Sequence, residues 1–329
     1  MARDLGEMVV PSSLPSHYEA VIRGIHEGRV VPFLGVDANL CGRPANHGWK
    51  HDQEDYLPSN RELAEHLSKK FAGPKNNVAA DLMHVSQYVA VTAGARQLYD
   101  QLHGILDRNY PPTPLHQLLA RIPAILRAKH DPAPYPLIVT TNFDDLLETA
   151  LQAENEQYDV VAYIAEGVHH GKFWHRTPEG GTQLIERPNE YGGQLLKHRP
   201  VILKIHGAVD RNSPEHDSFV ITEDHYINFL TRTDISNLVP VILAAKLRKS
   251  HFLFLGHSLR DWSLRIILHR IWGEQKLNYQ SWAIQANPHE LDQRLWKQRE
   301  VDIVDASLDE YVTELSVRIQ AQTPTGGGS

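Results

Sequence analysis

Pro136-Leu-Ile-Val-Thr-Thr-Asn-Phe-Asp-Asp145 passes from an apolar run into a polar cluster and then, from Leu146 on, into helical spacing. A strand, a short polar turn and a helix form the repeating unit of parallel sheets, and the turn lies at the carboxyl end of the strand. Three more segments have this shape: Arg29-Val-Val-Pro-Phe-Leu-Gly35, Val201-Ile-Leu-Lys-Ile-His-Gly207, and Ser250-His-Phe-Leu-Phe-Leu-Gly-His-Ser258 with the helical run behind it. Unbroken apolar runs are expected of strands covered on both faces. Aligned in one open sheet, the four strand ends bring Gly35, Thr141, Asn142, Asp144, His206, Gly256 and Ser258 to a shared crevice. Each motif alone has a plain structural reading, Asn-x-Asp as a helix cap and His-Gly as a turn. Their recurrence at successive strand ends is what predicts a site.

The pattern predicts an α/β fold, a Rossmann-like, mostly parallel sheet with helices on both faces, plus a helical insertion. Residues 15–28 read as an amphipathic helix feeding the first strand. The polar stretch 37–58 is too long for a simple strand-to-helix turn and reads as a loop covering a bound ligand. Apolar periodicity over 61–72, 76–91, 95–109 and 115–129 predicts the helical insertion, about 60–130, on one side of the sheet. Residues 158–197 show weak alternation among Gly, His and aromatic residues and read as a small, irregular β-rich insertion. Beyond 200, strands are expected at 201–205, 251–255 and 281–285, with helices at 222–232, 235–248, 261–274, 288–299 and 308–320. One domain is expected over 1–322, with 323–329 a flexible linker or added tail, so that the chain is one domain cut from a longer protein.

At 329 residues and 41% hydrophobic content the chain is long enough and apolar enough for an ordinary core. No apolar run approaches the ~20 residues of a membrane span, and no basic flank followed by an apolar core opens the sequence. A cytoplasmic location with no membrane contact is expected. Cys41 is the only cysteine, which excludes an intramolecular disulfide. A net charge of -7 argues against nucleic-acid binding through the overall field. The 20 histidines form no pair with helical metal-ligand spacing, and His169, His170 and His175 fall in a Gly-rich loop, so no metal is expected.

Taken in chain order, Phe33-Leu-Gly35, Thr140-Thr-Asn-Phe-Asp144, Lys204-Ile-His-Gly207 and Phe254-Leu-Gly-His-Ser258 with Asp261 resemble the sirtuin-like fold. The resemblance spans roughly residues 29–287 and is closest to the sirtuin-like domains of bacterial anti-phage defence systems. It implies that NAD is bound and cleaved, with Asn142 and His206 catalytic and Asp144 a supporting cofactor contact. Asn142 would hold the nicotinamide ribose or an attacking water, and His206, with an unperturbed pKa near 6.5, would act as general base. Gly256 would allow close backbone approach, and Ser258 would bond a phosphate or ribose oxygen. Gly35, Asp37, Asn39, Arg43 and Thr141 complete the expected cofactor-binding set. The family's Gly-Ala-Gly loop reads Gly35-Val36-Asp37 here, which puts a carboxylate where the second glycine belongs. Asp37 therefore points away, caps the following turn or weakens binding, and Asn39 and Arg43 could compensate, Arg43 by pairing with phosphate. Asp261 reads equally well as a first-turn helix acid. The four-cysteine zinc module of protein-deacetylating sirtuins has no counterpart in a chain with one cysteine.

Three functions stay open on these residues. One is an NAD glycohydrolase releasing nicotinamide and an ADP-ribose product, used as a gated toxic effector in abortive infection. The others are a catalytically weak nucleotide-binding assembly module and an ADP-ribosyltransferase. The family resemblance implies a homo-oligomer and an activating sensor domain or partner protein. Asn142 and His206 are expected at strand ends facing solvent.

Overall fold

The computed structural model describes residues 14–73, 81–130, 133–191, 195–231, 239–259, 264–265, 268 and 279–322. Its centre is a nine-stranded sheet in the order β11-β10-β9-β1-β2-β6-β3-β4-β5. The strands are β1 (Val30–Leu34), β2 (Leu137–Thr140), β3 (Asp159–Tyr163), β4 (Phe173–Arg176), β5 (Thr182–Ile185), β6 (Val201–Lys204), β9 (His251–Leu255), β10 (Ser281–Ile284) and β11 (Val301–Val304). Every pairing from β11 across to β3 is parallel, and β4 and β5 append an antiparallel edge. β7 (Gly207–Ala208) and β8 (Ser218–Phe219) form a separate two-residue ladder just beyond β6.

Alternation along the strands divides the core. Val31, Phe33, Leu137, Val139, Val201, Leu203, Phe252 and Phe254 face α8 (Glu223–Thr231), α9 (Val241–Arg248) and α10 (Glu290–Lys297), represented by Phe229, Leu243, Leu247 and Trp296. Leu34, Ile138, Ile202, Leu253 and Leu255 face the other way. They pack on α1 (Leu14–His26), α5 (Pro114–Ala120), α6 (Ile122–Lys129), α7 (Leu146–Ala153) and α11 (Leu308–Gln322). Burial on both faces is why these strands are continuously apolar. Each such side chain contributes about 1.5–3 kcal/mol through burial.

α2 (Asn60–Lys70), α3 (Leu82–Thr92) and α4 (Ala95–Leu106) build a third cluster with Phe219 and Ile221, off the carboxyl edge of the sheet. The sequence expectation differs from the structure in several places. The stretch 115–129 is two helices, broken at Arg121, because Pro123 fits the first turn of α6, where its missing N–H has no partner to lose. Residues 158–197 extend the main sheet, since β3 pairs in parallel with β6 and β4–β5 fold back on it. Within them His175 is in β4, not in a loop. β11 and the β7–β8 ladder went unread, being short and flanked by polar residues. Most of the expected helix 261–274, including Asp261, lies outside the described residues, as does the tail 323–329.

Candidate active site

The carboxyl ends of β1, β2, β6 and β9 open on a cleft of about 390 Å³. Thr141, Asn142, Asp144, His206, Gly256 and Ser258 all line it, with Asn39 and Val36 from the 3₁₀ turn Val36–Leu40 after β1. The chain runs outward from β1 to β2 on one side and to β9 on the other, the place where open α/β sheets hold ligands. Leu57, Pro58, Leu63 and Met83 also line it, so residues near the starts of α2 and α3 contribute to the cleft.

The turn after β1 is locked to the turn after β9. Gly35 N donates to Leu255 O at 2.9 Å, and Asp37 N donates to Gly256 O at 3.1 Å. Gly256 has φ +72, and a Cβ there would lie 2.3 Å from Ala38 N, while a Cβ on Gly35 would lie 2.3 Å from Gly256 O. Both glycines are thus explained by the approach of two protein loops to each other.

Asn142 is 9% exposed and His206 only 4%. Both expected sites are therefore buried at the cleft floor, not turned to solvent, because the insertion and α8 roof the strand ends. The Asn142 Nδ2 group donates to Gly35 O at 3.0 Å and to Asn39 Oδ1 at 3.1 Å. Asn39 Nδ2 in turn donates to Asp144 Oδ2 at 2.6 Å. Asp144 Oδ1 accepts from Leu146 N, the first residue of α7, at 3.1 Å. The rings of Tyr226 and Phe229 meet His206 edge-on with centroids 5.4 Å away. α8, which carries both rings, is tied to α3 by His84 to Glu223 at 2.9 Å and Gln87 to Asp224 at 2.8 Å.

Three expected ligand residues, Gly35, Asp37 and Arg43, are not among those lining the cleft; Gly35 instead lies in the crossing of the two turns. Asp37 is exposed in the first turn of its 3₁₀ segment. Arg43 points into the 37–58 loop, where it pairs with Glu62 through both carboxylate oxygens and donates to His47 O at 2.6 Å. Glu62 also accepts from Trp49 N and Ser59 N, and closes a capping box at the start of α2. Burial alone would raise the Glu62 carboxyl, but Arg43 and these hydrogen bonds bring it down to about 2. A guanidinium matched to a planar carboxylate in this way is committed to the loop.

Sequence reasoning missed the support beneath the turn. Lys204, 1% exposed, donates to Asp144 O and lies 2.7 Å from Glu148 Oε1 of α7. Burial pushes the Glu148 carboxyl up against the opposing pull of Lys204. His116 of α5 is buried beside the same group, and burial lowers its imidazole well below the ordinary histidine range, Asp144 opposing and Lys204 adding to the effect. The available signal was a lysine inside the apolar run Val201–Ile205 and a glutamate inside Leu146-Leu-Glu-Thr-Ala-Leu151. Among the described residues no group of three or more His, Cys, Asp or Glu could hold a metal ion, and no helix is long and apolar enough to cross a membrane.

Residues 136–304 match the family model described as SIR2-like domain. The chain is also similar to the NAD(+) hydrolase ThsA of Acinetobacter baumannii (strain 532279), 26% identical over 256 residues. That match takes in 77% of this chain but 41% of the relative, so the chain spans about two fifths of the relative's length. Among solved structures, cytosolic 5'-nucleotidase IIIB bound to cytidine aligns over 93% of this chain and 92% of that one, at 10% identity and a TM-score of 0.32. A likeness that weak carries no argument. The family match covers just over half of the chain and includes β2, β6 and β9 with the turns that carry Asn142, His206 and Ser258; the protein belongs to the SIR2-like domain family.

Proposed function

We propose that this chain is an NAD glycohydrolase, cleaving NAD to nicotinamide and ADP-ribose. The observation that carries the reading is the meeting of Asn142 and His206 on one cleft at the carboxyl edge of the sheet in a SIR2-like chain. The similarity to an NAD(+) hydrolase supports it. The nicotinamide leaving group is a cationic pyridinium, so positioning and electrostatics suffice and no strong nucleophile is needed. The C1′–N bond breaks with its electron pair passing to the ring, and nicotinamide departs neutral. Water oxygen bonds to C1′ of the oxocarbenium ion, and the water proton passes to His206 as general base. Asn142 orients the water or a ribose hydroxyl. Thr141 and Ser258 hold ribose or phosphate oxygens, with Gly35, Asn39, Asp144 and Gly256 forming the frame. Asp37 and Arg43 are left out of this proposed set, because Arg43 is paired with Glu62 and neither is among the residues lining the cleft.

The ordered motifs also support a role as a toxic effector of anti-phage defence, homo-oligomeric and gated by a sensor domain or partner. The test of the core reading is to incubate the purified chain with NAD and quantify free nicotinamide beside Asn142→Ala. Nicotinamide release that the substitution removes supports hydrolysis; binding without release would identify an assembly module, and label carried onto a macromolecule a transferase.

A further inference from the structure

The amide of Asn142 has its polarity fixed from behind. Gly35 O has no hydrogen to give, so the Asn142 atom 3.0 Å from it is the NH₂ group, and the second hydrogen of that group goes to Asn39 Oδ1 at 3.1 Å. Asn39 is oriented by the same logic, because its other end lies 2.6 Å from a carboxylate oxygen of Asp144. Asn39, Asn142 and Asp144 are all less than a tenth exposed. With both Nδ2 hydrogens used, Asn142 offers Oδ1 to the cleft.

We infer that Asn39 is a positioning residue, relaying the Asp144 carboxylate to Asn142 so that the catalytic amide presents an acceptor, never a donor, to the substrate. The inference rests on the NAD-cleaving reading for its kinetic consequence. A charged acceptor at the end of the chain polarises both amides in the same direction, which strengthens Oδ1 of Asn142 as the group receiving a hydrogen bond from the attacking water or a ribose hydroxyl. Asp144 would then act through Asn39 and not by touching the cofactor itself. The charged and titratable groups around this chain include Asp37 on the turn that carries Asn39, Asp145 beside Asp144 and paired with Arg211, His257 against Gly35, Lys204 on β6, Glu148 on α7, His116 on α5 and His206 after β6.

The test uses the single Asn39→Asp substitution and the exchange Asn39→Asp with Asp144→Asn. In the single variant two carboxyls face each other where one bond was, and they regain the original pattern only when they share a proton. Its kcat should fall at least tenfold below wild type at pH 8 with KM little changed, and the ratio to wild type at the same pH should recover as pH is lowered. In the exchange the new amide at 144 donates to the new carboxylate at 39, which also accepts from Asn142, so kcat should exceed that of the single variant at least tenfold at pH 8. A merely structural role for Asn39 would move the melting temperature with pH but leave kcat of the folded variant equal to that of wild type. Melting temperature against pH gives a readout independent of activity. The shared carboxyl has a folded pKa above its unfolded value, so stability in Asn39→Asp should be present at low pH and lost as pH rises, relative to wild type. A single variant with wild-type kcat and melting behaviour at every pH, or a folded exchange no better than the single, overturns the relay. If wild type releases no nicotinamide the hydrolase reading fails, and the melting profiles still decide whether Asn39 links the two groups.

Discussion

Replacing Lys204 by Met keeps the length of the buried stem and removes its ammonium, leaving Glu148 without a cation beneath the Asn142 turn. The cost has a ceiling that the site itself sets. Glu148 can escape its uncompensated charge by taking a proton, and moving a carboxyl from its ordinary value of 4.5 to neutrality at pH 7 costs at most about 3.4 kcal/mol at ~1.36 kcal/mol per unit. Burial already raises this carboxyl, so the loss falls below that ceiling. Glu148→Gln strands the lysine instead, and neutralising a lysine from about 10.4 at pH 7 costs up to about 4.6 kcal/mol. Glu148→Gln should therefore be the more damaging change, although it is the smaller one. An unfolding entropy of about 2.1 cal/mol/K per residue puts the two losses at no more than about 5 and 7 °C in Tm. The double variant should recover part of the loss, since neither charge is then stranded. Because Glu148 in Lys204→Met has a folded pKa above its unfolded value, that variant's deficit should be present at neutral pH and close as pH falls below about 4.5. Urea unfolding at pH 5 and pH 8 measures both effects. Equal deficits at the two pH values, or strictly additive losses in the double variant, would refute the reasoning.

His206→Gln should lower nicotinamide release by about 10²–10⁴, the usual worth of a general base, and equal melting curves would separate this from damage to its packing on Tyr226 and Phe229. Asp37→Gly should leave NAD affinity unchanged by calorimetry, since Asp37 is exposed and outside the cleft wall; clear tightening would place the carboxylate by the phosphates. The Glu62 carboxyl, held at about 2 chiefly by Arg43 and the backbone N–H groups of Trp49 and Ser59 against burial, contributes stability fully above about pH 4.5 and loses it as pH falls toward 2. Glu62→Gln should thus be less stable than wild type at pH 7, with the gap closing in acid; a pH-independent gap would mean that charge has no part in it.

What was legible in the sequence was whatever burial on two faces writes into the chain. β1, β2, β6 and β9 carry mainly apolar runs, broken in β6 only by Lys204, and read directly as central parallel strands. The polar residues ending those runs marked the cleft, and Asn39, Thr141, Asn142, Asp144, His206, Gly256 and Ser258 do line it. Edge strands were harder: β5 is largely exposed, and β11 is buried only at Val301 and half-buried over the rest, so neither has a pattern distinct from a loop. The pairing of Arg43 was not legible, because it is decided by whichever carboxylate the fold brings nearest, and Glu62 is 19 residues away. Which of the alternatives open for Asp37 holds was not legible, because its placement depends on the Gly35–Gly256 crossing, a contact between chain segments far apart in sequence. Lys204 and Glu148 stood in plain view as charges inside apolar runs, but their pairing is visible only once β6 and α7 are packed.

The most direct test of the account is to run the reaction in water enriched in ¹⁸O and weigh both products. One ¹⁸O-labelled ADP-ribose for each nicotinamide released, lost in Asn142→Ala and in His206→Gln, is the expected result. Release of nicotinamide with an unlabelled or macromolecule-bound ADP-ribose, or tight NAD binding with no nicotinamide at all, would contradict hydrolysis at this cleft.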